Sequence, residues 1–361
     1  MEGSFRFNNM KYIIAIDSFK GCLTSEEAAE AVYQNIASHY PKAEIITIPV
    51  SDGGEGMLNA FCKALKAKRE TINVRDAMMR RITAEYGITD CGTAIIEVAL
   101  SCGLTLIEPE LRNPLIATSY GVGQLIASAI KKGCRKFIIG LGGSATCDCG
   151  IGMLKALIES FSNNGNFDDI RDIINECKFI IASDVTNPLC GPNGASNVFA
   201  RQKGATESMI DILEKRAMKF AEISAMHIGH DYSNKAGAGA AGGLGYALMQ
   251  YMNAEMKSGA DLLLDLIHFE DIAKDANIVI TGEGTSDKQT LMGKLPYVIM
   301  RRAKNIDVPT LLIAGKINNK DKLINAGFKD AVCINPKGID IKEAMKKDVA
   351  ISNIRDFPLS I

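Results

Sequence analysis

The chain has 361 residues, of which 47% are hydrophobic and 23% are charged, and its formal net charge is -1. This length provides enough material for a large core and favours two domains over one. A charge so close to neutral gives no indication of a nucleic-acid or membrane-surface partner. No apolar run reaches the length of a membrane-spanning helix, and residues 1–10 lack the apolar core of a signal peptide. We therefore expect a cytoplasmic protein.

Ten cysteines are scattered along the chain, and none of them has the CxxC spacing that is typical of zinc sites and redox motifs. In a chain without a signal peptide, this pattern indicates reduced thiols of the cytosol. A disulfide framework is therefore not expected.

The chain begins with the strand, loop and helix order that is typical of α/β proteins. Residues 12–16 are predicted to form a buried strand, and a helix is predicted from Ser25 onward. In such folds the ligand-binding residues follow the ends of the strands. Ser18 and Lys20 occupy the first of these positions, so we expect them near a ligand. An ordinary solvated turn is the alternative interpretation.

A second strand is predicted over residues 43–48, and it leads into the glycine-rich segment 51–56. Asp52 lies within this segment, where a carboxylate would suit Mg²⁺ or the hydroxyl groups of a substrate. Turn chemistry alone would also explain an Asp-Gly-Gly sequence. Two strand ends thus carry candidate site residues.

Residues 71–106 show a different pattern, with short alternating runs that predict strands joined by tight turns. This pattern indicates a more antiparallel sheet and the beginning of a second domain inserted into the first. Arg80, Arg81 and Arg112 are candidate anchors for a small carboxylate, because a guanidinium group can bind it through two hydrogen bonds. A solvated surface arginine is the alternative interpretation for each of them.

Residues 140–154 join a predicted strand to a predicted helix and are rich in glycine. Glycine allows backbone N–H groups to turn toward a ligand, and the start of a helix attracts anions, so phosphate is the expected ligand. An ordinary turn between a strand and a helix is the alternative. The candidate residues are Gly142, Gly143, Ser144, Thr146 and Asp148. The side-chain oxygens of the last three suit phosphate or Mg²⁺.

A further strand is predicted over residues 179–182, and Asp184 follows it after Ser183. This position at a strand end makes Asp184 a candidate for an active-site carboxylate. Downstream, Arg201 and Lys203 would approach phosphate-like charge if the loop 194–205 folds back toward the same strand ends.

Residues 235–245 contain a GxGxxG pattern at Gly237, Gly239 and Gly242. A dinucleotide-binding fingerprint should directly follow a strand, but residues 227–234 are polar. We therefore interpret the run as a tight loop that opens a helix over residues 244–252. Its purpose would be close packing or phosphate contact.

The last polar loop spans residues 282–296 and lies between predicted strands at 277–281 and 309–314. It contains Glu283, Asp287, Gln289 and Lys294 together with three glycines. The sequence contains neither a Walker A motif nor the catalytic loop of protein kinases.

These loops, taken in order, resemble the motifs of the bacterial glycerate kinase family over nearly the whole chain. The matching segments are 17–21, 51–56, 142–146, 202–205, 237–245 and 281–294. The resemblance implies an α/β fold in which a flavodoxin-like three-layer domain carries an inserted second domain of mixed α/β type. We expect residues 10–75 and 260–361 to form the first domain and residues 76–259 the second, with the active-site cleft between them.

The resemblance also implies the activity, which is phosphorylation of glycerate from ATP with Mg²⁺, in many members at the 2-hydroxyl. Glycerate and ATP are therefore the expected partners; whether the chain forms a homodimer stays open. Three departures stand out. Cys147 and Cys149 replace an Asn and a Gly around Asp148, residues 77–80 read Ala-Met-Met-Arg instead of Pro-Leu-Gly-Arg, and Ala236 replaces a Pro. The turn at 77–80 is expected to be reshaped.

Phosphoryl transfer requires mainly positioning and charge neutralisation, which suggests roles for the candidate residues. Lys20, helped by Arg81, would hold substrate or γ-phosphate charge, and Asp184 would orient or deprotonate the attacking hydroxyl. The candidate Mg²⁺ ligands are Asp52, Asp148 and Asp287. The candidate contacts to substrate or phosphate are Ser18, Asp52, Gly142, Gly143, Ser144, Thr146, Lys203, Gly239, Gly242, Glu283, Gln289 and Lys294.

Two alternative functions are kept at this point. The hypothesis of an NAD-dependent oxidoreductase is based on the GxGxxG pattern alone. The hypothesis of a catalytically inactive glycerate-binding protein is based on the replacements at Cys147 and Cys149. The sequence does not indicate which glycine-rich loop binds ATP, which hydroxyl is phosphorylated or which enantiomer is accepted.

Overall fold

A computed structural model describes residues 10–19, 21–51 and 53–358 of the chain. The predicted site residues Lys20 and Asp52 lie outside the described residues, so their roles stay predictions. Within the described part, no helix combines the length and the apolar character needed to cross a membrane.

The strands and helices are numbered in chain order. The strands are β1 (Lys11–Ile16), β2 (Glu44–Thr47), β3 (Lys68–Arg75), β4 (Arg81–Ile88), β5 (Thr93–Glu97), β6 (Lys136–Gly140), β7 (Lys178–Ala182), β8 (Glu255–Lys257), β9 (Ile278–Ser286), β10 (Thr310–Ile317) and β11 (Asp330–Cys333). The helices are α1 (Ser25–His39), α2 (Met57–Ala64), α3 (Ala99–Cys102), α4 (Tyr120–Lys131), α5 (Ile151–Phe161), α6 (Arg171–Asn175), α7 (Ala195–Phe199), α8 (Glu207–Ile228), α9 (Ala240–Met252), α10 (Gly259–Leu266), α11 (Phe269–Ala273), α12 (Leu295–Lys304), α13 (Lys320–Ala326), α14 (Ile341–Ala344) and α15 (Lys347–Asp356).

Contacts divide the chain into two compact units. The first contains the described residues up to 51 and from 260 onward, and the second spans Gly53–Gly259. The sequence analysis placed the first boundary near residue 75, whereas the contacts assign residues 53–75 to the second unit. The reason is that β3 pairs with β4 along its whole length, and α2 packs on β4 and β5.

The first unit is built on a five-stranded parallel sheet in the order β11-β10-β9-β1-β2. Counted within the unit, this order is 2-1-3-4-5, the strand order of flavodoxin-like folds. Helices α1 and α15 cover one face through Val32, Ile36 and Ile354, and α12 and α13 cover the other through Met300 and Leu323. The predicted three-layer, flavodoxin-like fold is therefore confirmed.

Helix α1 begins where the sequence predicted, at Ser25, because Thr24 supplies a complete N-cap. The Thr24 hydroxyl accepts a hydrogen bond from the Glu27 N–H at 3.2 Å, and the Glu27 carboxylate accepts one from the Thr24 N–H at 3.0 Å. The Ser25 hydroxyl donates to the Ile16 carbonyl at 2.5 Å. This bond fixes the start of the helix to the end of β1.

The second unit contains a six-stranded mixed sheet in the order β3-β4-β5-β6-β7-β8. Strands β3, β4 and β5 are antiparallel neighbours, and β5 to β8 are parallel. The predicted change to antiparallel pairing after residue 71 is thus confirmed. The largest core of this unit lies where α4, α5 and α9 pack on the sheet, and it includes Leu125, Ile139, Met153 and Leu248.

The hairpin between β3 and β4 keeps a tight turn. Met79 has φ of +62°, a left-handed conformation that favours glycine, which is the residue typical of the resembled family at this position. The Asp76 carboxylate holds the turn by accepting from the N–H groups of Met78 and Arg80, each at 2.8 Å. The chain therefore retains the glycine-type geometry at position 79 with a residue that is strained there.

Candidate active site

The first set of site residues lies at the carboxyl ends of β1 and β9. In a 2-1-3-4-5 sheet these neighbouring strands are where the strand order reverses, and ligands of such folds bind there. The Asp17 N–H donates to the Gly282 carbonyl at 3.0 Å, and the Asp17 carboxylate accepts from the Ser18 N–H at 2.7 Å. Ser18 therefore lies beside the segment that contains Glu283.

Glu283 organises the loop that follows β9. Its side chain is buried, with 7% of the residue exposed. One carboxylate oxygen accepts from the hydroxyls of Ser286 at 3.0 Å and Thr290 at 2.5 Å, and the other lies 3.3 Å from Nζ of Lys294. Because its oxygens are engaged in this way, Glu283 positions the loop and directs the exposed Lys294 ammonium group.

Asp287 and Gln289 belong to the same loop. The Asp287 carboxylate accepts from the Gln289 N–H at 2.7 Å, and the Asp287 N–H donates to the Thr290 hydroxyl at 3.0 Å. Gln289 is exposed. The structure therefore brings together Ser18, Glu283, Asp287, Gln289 and Lys294 on the first unit.

The second set lies on the second unit, in the loop that follows β6. Gly142 must be a glycine here, because a Cβ atom would lie 2.4 Å from the Cα of Gly54. The Gly143 carbonyl accepts from the Leu104 N–H at 2.8 Å, and the Ala145 N–H donates to the Cys102 carbonyl at 2.8 Å. The predicted phosphate loop is thus a rigid segment that is held against neighbouring backbone.

Lys203 lies directly behind this loop. Only 3% of the residue is exposed. Its Nζ donates to the Ser144 hydroxyl at 3.1 Å and to the Thr146 carbonyl at 2.8 Å. An ammonium group has three donors, and within the described part of the chain no carboxylate forms a salt bridge with this one. A buried positive charge that forms no salt bridge with a described carboxylate makes loop 142–146 suited to an anion.

Asp148 was predicted as a Mg²⁺ ligand, but its carboxylate is engaged in hydrogen bonds within the protein. Its Oδ2 accepts from the N–H and hydroxyl of Ser119 at 2.8 and 2.9 Å and from the Gly152 N–H at 3.0 Å, while Oδ1 accepts from the Gly150 N–H at 3.1 Å. These donors lie at the starts of α4 and α5, where a negative charge is stabilising. The contacts favour a structural role that ties the two helices together.

The two cysteines beside Asp148 are buried. Burial, with the nearby Asp148 carboxylate, raises the pKa of the Cys149 thiol well above its usual range, and burial also raises the pKa of Cys147. Both thiols are therefore protonated at neutral pH and poor nucleophiles. Cys149 has φ of +54°, so this position, like Met79, keeps the geometry of the glycine it replaces.

Asp184 lies two residues beyond the end of β7 and is exposed. The adjacent Ser183 is fixed by an N–H bond to the Lys257 carbonyl at 3.0 Å. Because β5, β6 and β7 are parallel neighbours, their carboxyl ends share one edge of the sheet. Asp184 and the loop 142–146 therefore lie on the same edge, as predicted from their positions after strands.

Glu97, at the end of β5 on that edge, was missed by the sequence analysis. Its carboxylate accepts from the N–H groups of Gly56 at 3.1 Å and Leu58 at 2.9 Å, which caps α2. Burial raises the pKa of this carboxyl, and the two N–H bonds act in the opposite direction. The sequence does place an acidic residue, Glu97, at the end of an apolar run. The same pattern led to the prediction of Asp184.

The glycines of the GxGxxG run allow neighbouring backbone segments to pack closely against it. A Cβ at Gly239 would lie 2.3 Å from the Pro188 carbonyl oxygen, and one at Gly242 would lie 1.9 Å from the Thr146 carbonyl oxygen. The Gly242 carbonyl also accepts from the Cys149 N–H at 3.0 Å. The run follows helix α8 and no strand, so the context of a dinucleotide fingerprint is missing.

The three candidate arginines lie in different surroundings. Arg80 pairs with Asp76 at 2.6 Å, and Arg112 donates to the Ile107 and Leu104 carbonyls at 3.3 and 3.2 Å. Arg81 is exposed at the start of β4, opposite Arg75. The described residues contain no group of three or more His, Cys, Asp or Glu side chains that could hold a metal ion.

Comparison with known proteins identifies the family of the chain. Residues 12–356 match the model of the glycerate kinase family. The chain is 38% identical over 356 residues to the glycerate kinase of Bacillus subtilis (strain 168), covering 93% of each chain. It is 38% identical over 343 residues to the glycerate 2-kinase of Escherichia coli (strain K12), covering 90% of each.

A solved crystal structure from Salmonella typhimurium LT2, described as glycerate kinase 2, is similar in fold. The TM-score is 0.80, the sequence identity is 35%, and the alignment covers 96% of each chain. The family match extends over nearly the whole chain, and the two sets of site residues lie within it. The chain belongs to the glycerate kinase family and is a kinase.

Proposed function

We propose that this chain transfers the γ-phosphoryl group of ATP to the 2-hydroxyl of glycerate. The observation that carries the proposal is the buried Lys203 ammonium group, whose charge faces loop 142–146 without a carboxylate partner in the described structure. The name of the Escherichia coli relative, glycerate 2-kinase, supports the choice of the 2-hydroxyl.

Loop 142–146 and Lys203 would hold the negative charge of glycerate. The Lys203 Nζ is fixed by Ser144 and Thr146, so little side-chain entropy is lost when its third donor meets a carboxylate. Burial strengthens this interaction, because few water molecules compete for the charge. Gly142 allows the loop to pack directly against the backbone of Gly54, which fixes the position of Ser144.

Asp184 would act on the attacking hydroxyl. The oxygen of that hydroxyl forms the new bond to phosphorus, the bond between the γ-phosphorus and the oxygen of ADP breaks, and the proton passes to the Asp184 carboxylate. Its exposed position at the end of β7 supports this role, because a base must reach a ligand. Lys20, Arg81 and Asp52 keep their proposed roles in binding charge on the basis of the sequence alone.

The Glu283 loop would bind phosphate groups of the nucleotide through Lys294, which Glu283 orients. Mg²⁺ bound with a nucleotide needs only one or two protein carboxylates, since phosphate oxygens and water complete its shell. Asp287 and Asp52 are the proposed ligands, and Asp148 is not, because its carboxylate is engaged by the starts of two helices. When bound, the ion would neutralise phosphate charge.

Phosphorus NMR tests the proposal directly. The purified chain is incubated with MgATP and either D- or L-glycerate, and the proton-coupled spectrum of the product is recorded. Phosphate on the 2-oxygen gives a doublet and phosphate on the 3-oxygen a triplet. A doublet is the expected result. A triplet would contradict the proposed position, and the absence of product with both enantiomers would contradict the proposed activity.

A further inference from the structure

A pocket with a volume of about 110 Å³ lies on the first unit, at the carboxyl ends of β9, β10 and β11. Sites for whole drug-sized ligands measure roughly 300–1,000 Å³, so this pocket would enclose only one part of a ligand, such as a single ring system. Gly284 and Thr285, which line it, directly follow Glu283 on β9. The pocket therefore adjoins the loop that carries Lys294.

The walls of the pocket are mainly apolar. Phe19 and Ile334 are buried in its wall, and Ile341 and Met345 border it with 64% and 46% of their surfaces exposed. Two large apolar side chains this exposed at the border of a concavity are typical of a site that a flat, apolar ligand covers.

Asn335 supplies a fixed polar group in this apolar setting. Its Nδ2 donates to the Gly315 carbonyl at 2.8 Å, and its Oδ1 accepts from Nδ2 of Asn353 at 2.9 Å. These bonds set the orientation of the amide and leave it one N–H donor and one acceptor position. A neighbouring donor and acceptor of this kind match the edge of an adenine base.

The floor of the pocket needs a residue without a side chain. A Cβ at Gly315 would lie 3.0 Å from the Gly284 carbonyl oxygen and 3.5 Å from Nδ2 of Asn335. The exposed Lys316 follows on the same strand and also lines the pocket, where it could meet a phosphate. The pocket thus combines an apolar slot, a hydrogen-bonding amide and a cation, which are the features that a nucleotide requires.

We propose that this pocket binds the adenine ring of the nucleotide, so that the glycine-rich segment after β9 is the one that binds ATP. The inference rests on the proposed function, because it identifies the binding site of the phosphate donor. It assigns binding roles to Asn335, Ile341 and Met345, which no sequence motif indicated.

Calorimetric titration with ADP, GDP and inorganic tripolyphosphate tests the assignment, since tripolyphosphate lacks the base. The test variant is Ile341→Ala combined with Met345→Ala. The matched control is Met226→Ala, which removes a methionine that is 72% exposed on α8 of the second unit. Because all three residues are exposed, both variants should melt within a degree or two of the wild type.

We expect the double variant to bind ADP about tenfold more weakly than the wild type, while its affinity for tripolyphosphate stays within about twofold. Met226→Ala should leave both affinities unchanged. The assignment is overturned if ADP affinity is unchanged in the double variant, if tripolyphosphate binding falls equally, or if the wild type binds GDP more tightly than ADP.

Glycerate phosphorylation by the wild type is measured in parallel with MgATP. Product formation together with unchanged ADP binding in the double variant overturns only the pocket assignment. Absence of product overturns the proposed function, and the ADP titrations still decide whether the pocket binds adenine.

Discussion

Nζ of Lys203 lies 3.1 Å from the hydroxyl oxygen of Ser144, in a place where only 3% of the lysine is exposed. The two residues are far apart in sequence, and the contact fixes a cation behind the glycine-rich loop that follows β6. A charge is costly to bury without a partner, and no described carboxylate forms a salt bridge with this ammonium group, so we propose that the loop binds an anion. The predictions below test this arrangement and the fold that supports it.

Asp184→Asn should lower kcat by at least about a hundredfold, because an amide cannot accept the proton of the attacking hydroxyl. The melting temperature should change little, since the amide has nearly the same size as the exposed carboxylate that it replaces. Asp211→Asn, at an exposed position on α8, is the matched control and should retain full activity. Near-normal turnover in Asp184→Asn would rule out its role as the base.

Asp148→Asn should destabilise the second unit by about 2–4 kcal/mol, because the amide nitrogen would face either the Gly150 N–H or the N–H donors of Ser119 and Gly152, whichever way the amide turns. Thermal unfolding measures the loss. The Mg²⁺ concentration that gives half-maximal activity should stay the same for the folded fraction. A stable variant that needs much more Mg²⁺ would show that Asp148 is a metal ligand after all.

Substitution of Met79 tests whether the backbone of the turn between β3 and β4 is strained. We expect Met79→Gly to be more stable than Met79→Ala by about 1 kcal/mol, because only glycine adopts φ of +62° without cost. Comparing these two variants with each other removes the contribution of the methionine side chain. Equal melting temperatures would mean that the turn relaxes when residue 79 is changed.

Thiol labelling tests the burial of the loop around Asp148. Cys91 is exposed, and hydrogen bonds with Thr89 and Thr93 lower its pKa, so it should react first with iodoacetamide at pH 7.5. Burial raises the pKa of Cys102 to about 12 and also raises those of Cys147 and Cys149, so these thiols should stay unmodified until the protein unfolds. Mass spectrometry of the peptides gives the order, and early labelling of Cys149 would contradict the packing.

Much of the fold could be predicted from the sequence. The apolar runs 12–16 and 309–314 have the length and composition of buried parallel strands, and the polar residues after them lie at strand ends as expected. The boundary between the units could not be placed in this way, since it depends on which sheet α2 packs against. That choice is made partly by Glu97, whose carboxylate binds N–H groups of Gly56 and Leu58 across a long sequence separation.

The chemistry of individual site residues was harder to predict than their location. Asp148 and Glu283 were identified as polar residues of site loops, but their oxygens are engaged by Ser119 and Gly152 in one case and by Ser286 and Thr290 in the other. A sequence pattern gives the residue type and its place after a strand. It does not give the hydrogen-bond partners, which come from distant segments and decide whether a carboxylate is available to a ligand.

The most direct test of the central claim is the steady-state kinetics of Lys203→Met with glycerate as the varied substrate. Lys155→Met, which removes an exposed lysine of α5, is the control. We expect kcat/KM for glycerate to fall by about ten- to a hundredfold in Lys203→Met, because one charged hydrogen bond to the substrate is lost, while tripolyphosphate binding and the melting temperature are retained. A glycerate KM and kcat equal to those of the wild type would contradict the central claim.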